Sequence, residues 1–139
     1  MIPNFNLLAT TNRREESRGC TELWMLLHDI EDPKPLVDRS GVYGLIVAKT
    51  TLNQIDAIRR LRGELERRPE AFKHLIRLIP VETVVPSELE RIKEAVVRLS
   101  EKITERDSFR ITVEKRRTDL RSREIIEGVA EGISRKVDL

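Results

Sequence analysis

The chain has 139 residues, 39% apolar and 36% charged, enough for a buried core and for one ordinary domain or two small ones. Its net charge of +2, with both signs interspersed, excludes a molecule-wide field, so any basic patch must be local. The single Cys20 excludes an internal disulfide, and with only His28 and His74 beside it no zinc finger or ribbon can be assembled.

Residues 5–10 read as a short strand. Asn12 is placed to cap a helix, with Glu15 three residues on as the return partner of a capping box. Cys20, Leu23, Trp24 and Leu27 repeat at helical spacing and carry that helix to about Asp29, before Pro33 and Pro35 break it. Segments 35–38 and 42–49 flank Arg39-Ser40-Gly41, a hairpin signal with glycine at the turn. Thr51 and Gln54 form a second capping box, and Leu52, Ile55, Ile58, Leu61 and Leu65 line one helix face up to Pro69. Residues 72–79 make another strand, punctuated by Pro80. The order β-α-β-β-α-β is the split βαβ, or ferredoxin-like, arrangement, and it accounts for residues 1–80.

A second module, residues 81–139, opens on Ser87 and Glu90 as a third capping box. Its first helix has Leu89, Ile92, Val96, Leu99 and Ile103 on the apolar face. Residues 109–114 alternate as a strand, and "SREIIEGVAEGI" reads as a helix with Ser122 as cap and Ile125, Ile126, Val129, Ile133 and Val137 inward. Gly128 and Gly132 cost that helix about 1 kcal/mol each against alanine, which points to close packing on a strand. One strand between two helices cannot bury a sheet face alone, so the module leans on the first or is completed by more chain or by another molecule. The expected class is α+β.

Residues 110–123 hold six basic side chains (Arg110, Lys115, Arg116, Arg117, Arg121, Arg123) and two acidic ones (Glu114, Asp119), while residues 81–139 as a whole hold 13 of each sign. The positive charge falls where the expected strand hands over to the expected helix. Free amides at a helix start, the positive end of its dipole and guanidinium groups together suit a phosphate; cations alone there have the wrong sign for the dipole. A solvated loop paired with Glu114, Asp119 and Glu124 accounts for the same pattern, and the residues leave both readings open.

Other chemistry has less support. Cys20 shares the apolar stripe and reads as a buried thiol, Ser122 has no base at a defined spacing, and no glycine-rich phosphate loop opens a helix. No catalytic residue, metal or cofactor is expected. "VYGLIVAK" puts Tyr43 and Gly44 where an RNA-recognition sheet wants those types, yet it lacks the leading basic–glycine pair and the later aromatics. Trp24 has core spacing. The absence of a long apolar or secretory segment gives the expectation of a soluble, cytoplasmic protein.

"FRITVEKRRTDLRSREIIEGVAEGISRKVDL" resembles the core of the THUMP domain, an RNA-binding module of tRNA-modifying proteins. The resemblance rests on the alternating strand, Lys115-Arg116-Arg117, the helix start at 122–124 and the closing "KVDL". With "NFNLLATT", "CTELWMLL" and "SGVYGLIVAKT", the whole chain is most similar to archaeal relatives of the tRNA-acetylation adaptor, which carry a ferredoxin-like module first and lack a catalytic domain. This implies that both modules contact the acceptor end of tRNA and present it to a separate RNA cytidine acetyltransferase, which forms N4-acetylcytidine. The resemblance implies an RNA-binding role for Lys115, Arg116, Arg117, Arg121, Ser122 and Arg123, with Arg13, Arg14 and Arg18 as further candidates. Family members continue past the equivalent of Val137-Asp138-Leu139 with two more strands, so the THUMP module is expected to be C-terminally incomplete, with unpaired edges that favour homo-oligomers. Two rivals stand beside this reading. One is the RNA-binding fragment of a THUMP-containing thiouridine synthetase or methyltransferase; the other is a ferredoxin-like protein-interaction module with no RNA role.

Overall fold

The computed structural model describes residues 2–102, 110–115 and 120–137, with side chains as far as Glu131. The chain divides into two compact units, Met1–Val84 and Val85–Leu139. The described residues form an α+β structure with a four-stranded antiparallel sheet and four α-helices.

In the first unit the elements are β1 (Leu7–Thr11), α1 (Glu16–Asp29), β2 (Leu36–Arg39), β3 (Leu45–Lys49), α2 (Gln54–Arg67) and β4 (Leu75–Pro80). The sheet order is β2-β3-β1-β4, and every neighbouring pair is antiparallel. Leu7 and Ala9 of β1 and Ile46 and Ala48 of β3 point to one face, as the two-residue repeat of a strand requires. There they meet Leu23, Leu26 and Leu27 of α1 and Ala57 and Leu61 of α2 in a single buried core. The edge strand β2 is short and mostly exposed, with Asp38 and Arg39 at its end, which discourages pairing with another chain.

Helix α1 starts three residues later than the sequence suggests, at Glu16 after Glu15 rather than directly after Asn12. Arg14 adopts φ +72°, which takes the backbone out of a helical path. Asn12 therefore accepts a turn bond from the Glu15 N–H (3.1 Å) and caps nothing; the first helical bond runs from the Gly19 N–H to the Glu15 carbonyl (2.8 Å). Gly19 is buried, and a Cβ built there would lie 2.6 Å from Thr11 Cγ2, so glycine is what lets α1 approach β1. At the other end Glu31, at φ +73°, reverses the chain. The Asp32 N–H reaches the Leu27 carbonyl (3.0 Å) and the Glu31 N–H reaches that of His28 (3.0 Å), a left-handed stop placed before Pro33. Trp24 is 44% exposed rather than in the core, because Leu23, Leu26 and Leu27 occupy the buried stripe.

Asp32 is only 1% exposed. Its carboxylate accepts from Thr50 Oγ1 (2.6 Å), Thr51 Oγ1 (2.5 Å) and the backbone N–H groups of Lys34 (3.0 Å) and Thr51 (3.2 Å). It thereby ties the α1–β2 loop to the β3–α2 loop. Thr51 is thus not the cap of α2: Asn53 Oδ1 accepts from the N–H groups of Ile55 (2.9 Å) and Asp56 (3.2 Å), and the Gln54 amide donates to the Val81 carbonyl (3.1 Å). The buried face of α2 is Ala57, Leu61 and Glu64, with Ile55 and Leu65 left exposed. Glu64 keeps its buried place through Arg68 (2.9 Å) and Arg67.

Strand β4 begins three residues later than expected. Pro69–Ala71 form a 3-10 turn, and the Glu22 carboxylate then accepts from the N–H groups of Lys73, His74 and Leu75 at 2.8–3.2 Å, holding the backbone that would otherwise extend the strand.

The second unit is built on α3 (Leu89–Leu99) and α4 (Ser122–Val137). Glu88, not Ser87, precedes the first turn of α3 and makes no side-chain cap, while Glu90 pairs with Lys93 (3.4 Å). Ile125 and Val129 are buried among Leu89, Ile92, Val96, Ile111, Val113 and Leu120. The expected strand at 109–114 is not formed over 110–114, and Phe109 lies outside the described residues. A strand needs a ladder partner, and the described residues of this unit include none. The alternation survives nonetheless: Ile111 and Val113 pack against the helix pair, while Arg110, Thr112 and Glu114 are exposed. Gly128 packs on α3 rather than a strand, its missing Cβ lying 3.2 Å from Lys93 Cδ.

Candidate functional site

In the second unit the basic run lies between Val113 and the start of α4. Arg110, Lys115, Arg121 and Arg123 are exposed, and Arg116 and Arg117 lie outside the described residues. Arg121 stands just before the helix: its carbonyl accepts the first helical bond from the Ile125 N–H (3.2 Å), so Ser122 is the first helical residue rather than the cap. Arg123 pairs with Glu127 one turn on (2.9 Å), an exposed pair worth little to stability. Lys115 also has an interaction partner. Arg121 and Arg123 therefore stand at the end of the helix where the unpaired amides are, which is the arrangement that suits an anion.

The three basic candidates of the first unit separate. Arg18, on α1, lines a cavity of about 470 Å³ with Glu22, Asp29, Arg68, Lys73 and His74, a lining of mixed charge. Arg13 and Arg14 belong instead to the β1–α1 loop, which meets the β2–β3 turn. Glu16 joins the two: its Oε1 accepts from the N–H groups of Gly44 (3.0 Å) and Arg14 (3.2 Å), and the Thr11 N–H donates to the Gly44 carbonyl (2.9 Å). The Gly44 N–H bond above all holds the Glu16 carboxyl below the usual range. Gly41 (φ +86°) and Gly44 (φ +74°) give the turn its left-handed bends, and Ser40 Oγ bonds within it to Leu45 (2.8 Å) and Val42 (3.0 Å).

This clamp sets the Arg13 guanidinium 5.9 Å from the centre of the Tyr43 ring. Tyr43 is 71% exposed and sits in the turn, outside β3, whose first residue is Leu45 rather than Val42. By sequence alone Tyr43 stands only where an RNA-recognition sheet wants an aromatic. Two glycines flanking an aromatic beside a hairpin turn were the available signal that it projects from the turn itself.

Cys20 is half-buried against the core, and burial raises its thiol above the ordinary value, which suits a structural thiol rather than a nucleophile. Among the described residues no group of three His, Cys, Asp or Glu could hold a metal ion, and no helix is long and apolar enough to cross a membrane. Comparison with family models, with curated proteins and with solved structures finds no match for this chain.

Proposed function

We propose that this chain is a non-catalytic tRNA-binding adaptor: a ferredoxin-like module, residues 1–80, followed by a THUMP module, residues 81–139. It presents tRNA to a separate RNA cytidine acetyltransferase that forms N4-acetylcytidine. The observation that carries the reading is the exposed Arg121 and Arg123 at the start of α4, with the exposed Lys115 ahead of them in the same basic run. Lys and Arg side chains there neutralise backbone phosphates, and the first amides of α4 add donors of the right sign. Discrimination comes from RNA shape, the way double-stranded RNA is mainly read. The β2-β3-β1-β4 antiparallel order supports the ferredoxin-like assignment of the first module.

A tRNA titration over a salt series tests the binding step. Each neutralised phosphate contributes a log–log slope of about −0.7 to −0.9, so several contacts give a steep line. Arg116→Glu with Arg117→Glu flattens that line and weakens all tRNAs alike while the fold is kept. A salt-independent affinity, or one the double variant leaves unchanged, removes the basic run from the site. The adaptor step is tested by adding the chain to a purified RNA cytidine acetyltransferase and tRNA. Unchanged N4-acetylcytidine yield refutes that step even where RNA binding holds.

A further inference from the structure

We propose that the Tyr43–Arg13 pair is a second RNA contact, a platform on which one unpaired nucleobase stacks while Arg13 and Arg14 meet the flanking phosphates. The inference rests on the RNA-binding reading above but uses a different surface and a different chemistry.

Four observations converge on it. Tyr43 is 71% exposed, which leaves most of an aromatic surface in water. The turn that carries it is stiff, held by Ser40 Oγ within the hairpin and by the Glu16 carboxylate and the Thr11 N–H from the neighbouring loop. Little conformational freedom remains there to be lost when a base docks. Arg13 lies at cation–π distance from the ring, so a charge able to reach a phosphate stands next to the stacking surface. Arg14 is held at φ +72°, a conformation a non-glycine residue keeps only when its surroundings impose it, and here the Glu16 carboxylate takes its N–H.

The guanidinium groups of this corner are also open to an anion. Among the described residues Arg13 and Arg14 form no ion pair. Arg39 adds a third cation to the same corner and donates to Ser17 Oγ. The three neighbouring carboxylates keep their charge but face other donors: Glu15 lies 3.5 Å from His74 Nδ1, Glu16 takes the Gly44 and Arg14 amides, and Asp38 accepts from the Arg39 N–H (2.8 Å). A flat π-face with the Arg13 guanidinium beside it fits a nucleotide in a single strand better than a duplex, whose bases are already stacked.

The test uses the full chain with a fluorescein-labelled oligouridylate and an RNA duplex of equal length. Stacking on an aromatic ring contributes roughly 5- to 100-fold in affinity per base. Tyr43→Ala is expected to weaken oligouridylate binding at the lower end, about 5- to 20-fold, and to leave duplex binding unchanged. Tyr43→Phe, which keeps the ring, should bind the oligouridylate like the wild type, and Arg13→Ala should lower the affinity and flatten the salt slope. Tyr43 is the only tyrosine, so its ring protons give one set of NMR signals, and stacking moves them upfield. If the wild type binds both RNAs but Tyr43→Ala binds the oligouridylate unchanged and the ring signals stay in place, the platform is refuted while the RNA reading survives. Equal weakening of the duplex refutes the single-strand assignment. If the wild type binds neither RNA, both readings fall together.

Discussion

Replacing Asp32 with asparagine changes one atom and preserves shape, yet the geometry predicts a large loss. One carboxylate oxygen takes the Lys34 N–H and the Thr51 hydroxyl; the other takes the Thr51 N–H and the Thr50 hydroxyl. A hydroxyl can turn and accept from an amide, but a backbone N–H cannot. Whichever way the asparagine flips, its NH2 faces one of the two backbone donors. Setting the buried asparagine NH2 against that part-buried N–H costs about 1–3 kcal/mol, and losing the carboxylate's charge weakens the remaining bonds, for about 2–4 kcal/mol in all. For a unit this small that lowers the midpoint by roughly 10–25 °C. Trp24 is the only tryptophan and lies in α1 of the same unit, so its fluorescence during denaturation reads this unit directly.

The pH dependence is a second check on the same residue. Burial pushes the Asp32 carboxyl upward, but the Thr50 and Thr51 hydroxyls and the Lys34 and Thr51 amides outweigh it, and the folded value lies below the ordinary one. Such a group contributes its stability fully above the unfolded value of about 3.9 and loses it as pH falls through the folded value. The gap between wild type and Asp32→Asn should therefore be complete near neutrality and should narrow in acid. A gap under about 0.5 kcal/mol at neutral pH, the size of an ordinary surface change, refutes the argument. So does a gap that stays constant into strong acid.

Three further outcomes follow from local geometry. Gly19→Ala places a methyl 2.6 Å from Thr11 Cγ2 and should cost about 1–3 kcal/mol. Thr11→Ser removes that methyl while keeping the hydroxyl that bonds the Asn12 carbonyl (3.0 Å), so the double variant should recover much of the loss; strictly additive urea midpoints would sink the contact. Glu31→Gly should raise stability by about 0.5–1 kcal/mol, since glycine takes the φ of +73° without strain and this outweighs its entropy in the unfolded chain. Unchanged or lower stability in calorimetry would mean that the exposed Glu31 side chain contributes more than its backbone costs. Cys20 should react slowly with iodoacetamide at neutral pH, because burial holds its thiol above the usual value; the rate of a free thiol would contradict that environment.

The elements of the first unit were legible because their apolar residues keep the strand and helix periods, and turn residues fall between them. The caps were not. Asn12, Thr51 and Ser87 each have the right partner three residues on, but Arg14 turns the chain away from a helix, Thr51 is taken by Asp32, and Glu88 holds the position ahead of α3. A capping box records what a segment can do locally, while long-range partners choose among its possibilities. The same holds for α2, where counting apolar residues favoured Leu65 over Glu64, and a pair of arginines 3–4 residues on makes the glutamate the buried one. In the second unit, alternation at 110–114 correctly separated inward from outward side chains, but it could not supply the partner that makes a strand.

The charge balance hid the candidate surface for a related reason. A count of residues 1–80 gives 13 basic against 11 acidic side chains, close to neutral. Counting treats each carboxylate as a potential surface partner for an arginine. The fold uses several of them otherwise: Glu16 holds the Gly44 and Arg14 amides, Glu22 those of Lys73, His74 and Leu75, and Asp32 those of Lys34 and Thr51. Each ties two segments through backbone donors, which a carboxylate does with stronger, charge-assisted bonds than a neutral side chain could. The arginines near these loops are then left without ion pairs: Arg13, Arg14 and Arg18 form none among the described residues. A nearly neutral sequence can thus present guanidinium groups ready for an external anion. Which acids the backbone engages is decided by tertiary structure, so Arg13 and Arg14 are candidates in the sequence, while their freedom from ion pairs and the placing of Arg13 beside Tyr43 became visible only once the chain was folded.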